Sequence, residues 1–370
     1  MLFSAVTVFW LPVYFSDVLG FSGAQIGLLF ALNAVTGMLA AFPAGLGNDR
    51  LSSRFWVVLG LLTQAVTLVW FDHVEAFAIC IVAYFFWSMT FSLFRISIET
   101  QMLKTDSGDK TAQRIGVFVA WRFGGLGVGS LLAGFLLTRF GFHVTFMFVA
   151  IVCVVLIVPA LLLPRTPVRR VNLREYAADF MDRRVLLFVS WMFLFCTHWG
   201  SEYTCYSLFL KKSLGLSLRQ MGAYMAVEFS AFLFVGLLLA PRLRTMAIRN
   251  ACLIGGLLAS GIGLLGMVSS NVFVSVSFRF VHGLGDATMM VLIYLGIARL
   301  FNAERIGGST GVVNLAMMTG LIVGALVASP VGEHFGYGVP IWASGMMLVL
   351  LALPVYLCRC PAGAPVHSAR

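Results

Sequence analysis

Residues 19–27 read LGFSGAQIG and residues 214–222 read LGLSLRQMG, while residues 125–142 read GLGVGSLLAGFLLTRFGF and residues 320–337 read GLIVGALVASPVGEHFGY. Both pairs are separated by the same offset, 195 residues. One constant spacing across two separate segments marks a duplicated unit, and within each unit the apolar runs number six. Hydrophobic residues make up 60% of the 370 and charged residues only 11%, far below the quarter usual in soluble domains, so the duplicated unit belongs in lipid.

Runs of about 20 apolar residues cross a hydrocarbon core as helices, because a helix satisfies its own backbone polar groups. The sequence predicts twelve: Met1–Ser16, Ala24–Leu46, Phe55–Phe71, Ala76–Leu103, Ile115–Thr138 and Val144–Leu163, then Val185–Leu210, Met221–Leu239, Ile248–Val268, Val272–Ala298, Ile306–Val331 and Val339–Cys358. The expected fold is an all-α polytopic membrane protein of two pseudo-symmetric six-helix bundles, 1–163 and 185–358, with a linker at 164–184 and a tail at 359–370. In the linker, Val171, Leu173, Tyr176, Phe180 and Met181 suit a short surface helix. Met1 matches Cys196 through the offset, so the first span reads as short, and with no basic leader or small-residue cleavage site it reads as a retained span.

The net charge of +10 is topology rather than a nucleic-acid footprint. Eighteen of the 25 basic residues fall in alternate loops and the tail, whereas only Arg139, Lys211, Lys212 and Arg219 lie in the opposite loops. The positive-inside rule then places the linker and C-terminus in the cytoplasm of a bacterial inner (plasma) membrane protein. No P-loop, G-x-S-x-G elbow or His-Glu-x-x-His motif is present, so no enzyme, cofactor or metal site is expected. Thiols at helix positions such as Cys80 and Cys196, and at the cytoplasmic Cys358 and Cys360, are expected to stay reduced.

Charges at membrane depth are costly and mark partners or wet pathways. Nine ionisable residues sit there: Arg95, Glu99, Arg122, His198, Glu202, Glu228, Arg279, His282 and Asp286. Arg95 with Glu99 and His198 with Glu202 are i, i+4 pairs, and Arg279, His282 and Asp286 form one stripe on the tenth span. Counting from the span ends puts Glu228 and Asp286 nearest the midplane, which makes them proton-carrier candidates with His282, Glu202 and His198 beside them. Arg95, Glu99, Arg122 and Arg279, with the polar Asn33 and Asn314, are candidates to line a cavity and meet a solute.

After the second span, residues 45–54 read GLGNDRLSSR, and this resembles the loop signature G-x-x-x-D-R/K-x-G-R-R/K of the major facilitator superfamily. Gly45, Asp49, Arg50 and Arg54 fit it, with Ser52 and Ser53 in place of Gly and Arg. RFVHGLGDA at 279–287 is similar to a second pattern of that family, R-x-x-Q-G-x-G-x-A, in the opposite half from the family's own, and Gly125 to Gly134 resembles the g-x-x-x-G-P-x-x-G-G signature of drug:proton antiporters. The resemblance implies a secondary transporter working by alternating access around a central polar cavity, with the Gly45–Arg54 turn as a cytoplasmic gate. Its partners would be a small organic solute, protons and membrane lipid, with no nucleic acid and no protein partner specified. One proton crossing 100 mV yields roughly 2.3 kcal/mol, a usable drive. Proton-coupled export by antiport leads. Uptake of a polar or anionic metabolite by symport is the alternative, and a non-transporting sensor or scaffold, or a lipid flippase, stands behind both.

Overall fold

The computed structural model describes residues 10–11, 14–21, 23–104, 110–166, 181–243 and 245–358. Most of the expected first span, most of the 164–184 linker and the tail lie outside the described residues. Among the described residues there are helices and turns and no strand.

The first half contributes α1, of which the π-helical turn Tyr14–Val18 is described, then α2 (Gly23–Arg50), α3 (Ser53–Phe71) and α4 (Phe77–Lys104). The helical run Thr111–Leu161 is two helices, α5 (111–140) and α6 (142–161), which meet at Gly141. In the second half, α7 (Arg183–Ser201) continues through π-helical turns at Glu202–Tyr206 and Phe209–Ser213. It is followed by α8 (Leu218–Phe234, extended by the π-helical turn Val235–Leu239), α9 (Met246–Met267), α10 (Val272–Leu300), α11 (Ile306–Phe335) and α12 (Gly338–Cys358). Eight stretches of the described residues are long and apolar enough to span a membrane, one of them the α5–α6 pair. Large side chains such as Leu39, Phe135, Val158, Leu326 and Tyr356 stand exposed around the outside, the surface that lipid solvates.

The duplication is written into the backbone. The described glycines with positive φ are Gly20 and Gly215, both at 65°, and Gly141 and Gly336, at 75° and 96°. Each pair is related by the 195-residue offset, and each glycine turns the chain where a side chain would be strained. The π-helical turns Tyr14–Val18 and Phe209–Ser213 match in the same way. So do the turn hydrogen bonds from Leu19 N to Tyr14 O and from Leu214 N to Phe209 O, both 3.1 Å.

Two large apolar clusters form the cores, one confined to residues 10–160 and the other mostly beyond 185. The halves meet along two seams, α2 against α11 and α5 against α8. Glycines permit the closest approach. A methyl on Gly45 would lie 2.2 Å from the Gly307 carbonyl oxygen, and one on Gly116 would lie 2.2 Å from that of Gly236. These four glycines sit where α2 and α8 end and α5 and α11 begin, which is one end of the bundle. Further along, a methyl on Gly222 of α8 would stand 3.6 Å from the Ser130 carbonyl of α5, an ordinary contact rather than a clash.

Candidate functional site

All nine ionisable residues singled out by depth gather into two clusters, with none left over. The first bridges the halves. Arg122 of α5 donates to Glu99 Oε1 of α4 at 2.6 Å and, across the seam, to the Tyr294 hydroxyl of α10. Arg95 lies 3.6 Å from Glu99 and donates to Asn314 Oδ1 of α11 at 2.7 Å, while Asn314 Nδ2 donates back to Glu99 Oε2 at 3.3 Å. Two guanidiniums against one carboxylate leave this cluster one positive charge in excess. Glu99 and Tyr294 are equivalent positions under the offset, so the cluster straddles the relation between the halves.

The second cluster lies within the C-terminal half, where three carboxylates face one guanidinium and two imidazoles. Arg279 donates to Glu202 of α7 through Nη1 and to Glu228 of α8 through Nη2, and its guanidinium lies 4.1 Å over the Tyr206 ring. Glu228 lacks an ion partner on its own helix, and α10 supplies one. Asp286 Oδ2 accepts from the Trp199 indole at 2.8 Å and lies 3.3 Å from His198 Nε2, and Ser260 Oγ of α9 donates to its Oδ1 at 2.6 Å. Small residues bring Ser260 that close: a methyl on Gly285 would meet the Ser260 nitrogen at 2.2 Å, and one on Gly263 would meet the His282 nitrogen at 2.4 Å.

The offset shows that only one half carries this chemistry. Arg279, His282 and Asp286 correspond to Tyr84, Trp87 and Phe91, which form a ladder of stacked rings with centroids 5.3 Å apart at each step. Glu228 corresponds to Asn33, whose Oδ1 accepts from Ser88 Oγ at 2.6 Å, so Asn33 belongs to neither cluster. Between the two clusters stands Tyr203. It is 63% exposed, yet lies within electrostatic reach of Arg95 and Arg122 on one side and of Glu202 and Glu228 on the other.

At the closed end, Asp49 is fully buried and its carboxylate accepts from the amides of Gly307 at 3.0 Å and Gly308 at 2.6 Å, first-turn N–H groups of α11 that have no partner within the helix. Lys104 Nζ lies 2.9 Å from the same carboxylate and donates to the Asn48 carbonyl at 2.8 Å. Sequence reasoning counts Lys104 among the loop bases, and the structure corrects this: α4 runs on to Lys104, and its side chain reaches inward to the charge on α2. Gly45 forms the close contact with Gly307, Arg50 is exposed, and Arg54 donates to the Leu161 and Leu163 carbonyls at 3.2 and 3.4 Å. Ser260, Trp199, Tyr206, Tyr294 and Tyr203 escaped sequence reasoning, because none carries a charge to make its depth conspicuous.

The Asp49–Lys104 pair makes a direct prediction. Asp49→Ala leaves a buried ammonium facing uncapped amides, a loss of about 3–5 kcal/mol for a broken buried pair. The thermal midpoint of the purified protein is expected to fall clearly, and the Asp49→Ala/Lys104→Met double variant to recover part of that fall. An unchanged midpoint in the single variant refutes this role.

A lipid-spanning bundle whose two repeated halves close on each other at one end, around buried polar clusters, has the architecture of a membrane transporter. The sequence profile of the Major Facilitator Superfamily matches residues 1–251 and 191–369, and the chain belongs to that family. Its family and its long apolar helices make it an integral membrane protein. Among curated proteins, an uncharacterized MFS-type transporter, YxaM of Bacillus subtilis (strain 168), is 24% identical over 133 residues, 36% of this chain and 33% of that protein; the chain thus spans about a third of the length of this relative. Among solved structures, the human organic anion transporter MFSD10 (TETRAN) superposes with a TM-score of 0.75 at 15% identity, over 96% of this chain and 89% of that one. The proton:xylose symporter XylE bound to 6-bromo-6-deoxy-D-glucose does so with a TM-score of 0.73 at 13% identity, over 96% and 92%.

Proposed function

We propose that the chain exports a small organic anion in exchange for protons, with Glu228 as the proton carrier. The observation that carries this reading is that Glu202 and Glu228 share Arg279. A proton on Glu228 leaves the guanidinium still paired, so loading and release need not strand a buried charge. The groups facing Glu228 are Arg279, His282 and Asp286 from α10 and Glu202 from α7. Phe229, the next residue, packs across the seam on Phe123 of α5, with ring centroids 6.3 Å apart, which links the protonation state of Glu228 to the fit of the halves.

The positive excess of Arg95 and Arg122 around Glu99, within electrostatic reach of the exposed Tyr203, supports an anionic solute. The structural neighbour MFSD10 is named as an organic anion transporter, which agrees with that class. The Gly125–Gly134 run at the α5–α8 seam, with its likeness to antiporters, supports export from a cytoplasmic side at the Asp49 end. Symport is the second reading, favoured by the same two arginines, which would also draw an anion inward.

The test begins with a library of small carboxylates, from which the compound that most raises the thermal midpoint is taken into proteoliposomes. Solute-driven proton flux that collapses an inside-acid gradient in inverted vesicles supports antiport, and flux that builds the gradient supports symport. Glu228→Gln is expected to abolish proton-driven accumulation while leaving solute exchange intact. If the glutamine variant still accumulates solute against a gradient when driven by protons, the assignment is overturned.

A further inference from the structure

We propose that His198, Glu202, His282 and Asp286 form a binding site for one divalent transition-metal ion, with Zn²⁺ the best fit. Their ligand atoms, one from each residue, all lie within 4.8 Å of one another. His282 Nε2 stands 3.1 Å from Glu202 Oε1 and 3.8 Å from Asp286 Oδ2, and His198 Nε2 stands 3.3 Å from Asp286 Oδ2. Tetrahedral bonds of about 2.1 Å place neighbouring ligand atoms about 3.4 Å apart, so three of the six edges are near their final length.

The imidazoles are already oriented. His198 Nδ1 sits 2.5 Å from the Phe195 carbonyl and His282 Nδ1 sits 3.0 Å from the Ser260 carbonyl. A carbonyl only accepts, so each Nδ1 carries hydrogen and each Nε2 points into the cluster, the outer-shell arrangement that holds a metal-ligating histidine. Asp286 is steadied in turn by Ser260 and Trp199. His282 Nε2 is fully enclosed and lies 3.1 Å from Glu202 Oε1 and 3.8 Å from Asp286 Oδ2. A nitrogen enclosed between two carboxylate oxygens, with its other ring nitrogen held by a carbonyl, suits a metal at the centre.

Charge gives the same answer. With Glu228 and Arg279 paired to each other, Glu202 and Asp286 bring two negative charges to the four-ligand set, and one divalent ion balances them. Two nitrogens with two carboxylate oxygens favour zinc and its first-row neighbours over magnesium or calcium, which take oxygen sets. The ligands form two i, i+4 pairs, one on α7 and one on α10, so an ion there would clamp these helices together.

Purified full-length protein, stripped with chelator, is titrated calorimetrically with Zn²⁺ alone. One ion per chain is expected, with Zn²⁺ but not Mg²⁺ raising the thermal midpoint. Asp286→Asn and His198→Gln are each expected to weaken binding by more than about 100-fold, beyond what a lost outer-shell contact gives. Glu228→Gln, outside the set, should keep zinc within a few-fold of wild type, so loss of proton coupling there and loss of zinc here are separate outcomes. Zinc-edge absorption spectroscopy on wild type should read two nitrogen and two oxygen ligands, a result that does not depend on any variant folding. No bound zinc in excess Zn²⁺, or equal affinity in Asp286→Asn and wild type, overturns the site.

Discussion

Arg279→Leu will leave almost no folded, monodisperse protein after extraction, the largest effect expected of any single substitution in the chain. Arg279 is 4% exposed and its guanidinium is shared by Glu202 and Glu228. Leucine fills much of the volume but strands both carboxylates in low dielectric. Breaking a buried pair by removing one partner costs about 3–5 kcal/mol, and here two pairs break together beside a third acid, Asp286. Lysine in its place keeps the charge but not the fork that reaches two carboxylates at once, so Arg279→Lys should fold with a lowered midpoint. The triple variant Arg279→Leu/Glu202→Gln/Glu228→Gln, which removes the stranded charges, should recover monodisperse protein. Size-exclusion profiles with thermal midpoints provide the check, and a wild-type profile for Arg279→Leu would show that the cluster is not held by this guanidinium.

Gly116→Val will fold and yet fail to transport, because the seam it obstructs is needed in only one conformation. A methyl at Gly116 would lie 2.2 Å from the Gly236 carbonyl and 2.3 Å from the Ala240 side chain, and one at Gly236 would lie 2.3 Å from the Gly116 carbonyl. Backbone meets backbone there, with no flexible tip to yield. The contact lies between the halves, so the strain falls on closure. Overpacking costs about 1–3 kcal/mol, which displaces a two-state equilibrium by about 5- to 150-fold. A cysteine placed at Ser309, fully buried beside the α2–α11 seam, should then react with an impermeant maleimide at least severalfold faster in Gly116→Val than in wild type. Wild-type transport and unchanged labelling would mean that the α5–α8 contact is not part of the cycle.

Much of this architecture could be read before any coordinates, for definite reasons. The repeat at 19–27 and 214–222 is legible as text, and one glycine of each copy, Gly20 and Gly215, proves to be a positive-φ corner of its half. Buried charge is rare enough that depth alone found every acid, guanidinium and imidazole of the two clusters, though not the neutral side chains that complete them. Pairing was not readable. Glu228 and Arg279 lie 51 residues apart on different helices, and no periodicity connects them. Lys104 looked like a loop base because its helix ends there, and only the placement of Asp49 shows where its ammonium goes. The ligand set escaped the search for metal motifs because half of it lies on α7 and half on α10, each an unremarkable pair in isolation. Ser260 and Trp199 carry no signature beyond ordinary helix composition.

The widened turns of α7 have a mechanical consequence. Each π-helical turn holds one residue more than an α-helix of the same rise requires, and α7 has two, the first beginning at Glu202 itself. Such slack can migrate along a helix like a ruck along a rug, rotating the segment it crosses by about 100° without severing the main chain. His198 lies upstream of the ruck and Glu202 at its edge, so a one-residue migration would swing one member of the pair while its neighbour stayed still. The N-terminal half, where the same turn recurs only at Tyr14–Val18 among the described residues, would serve as the stiff frame against which that motion works.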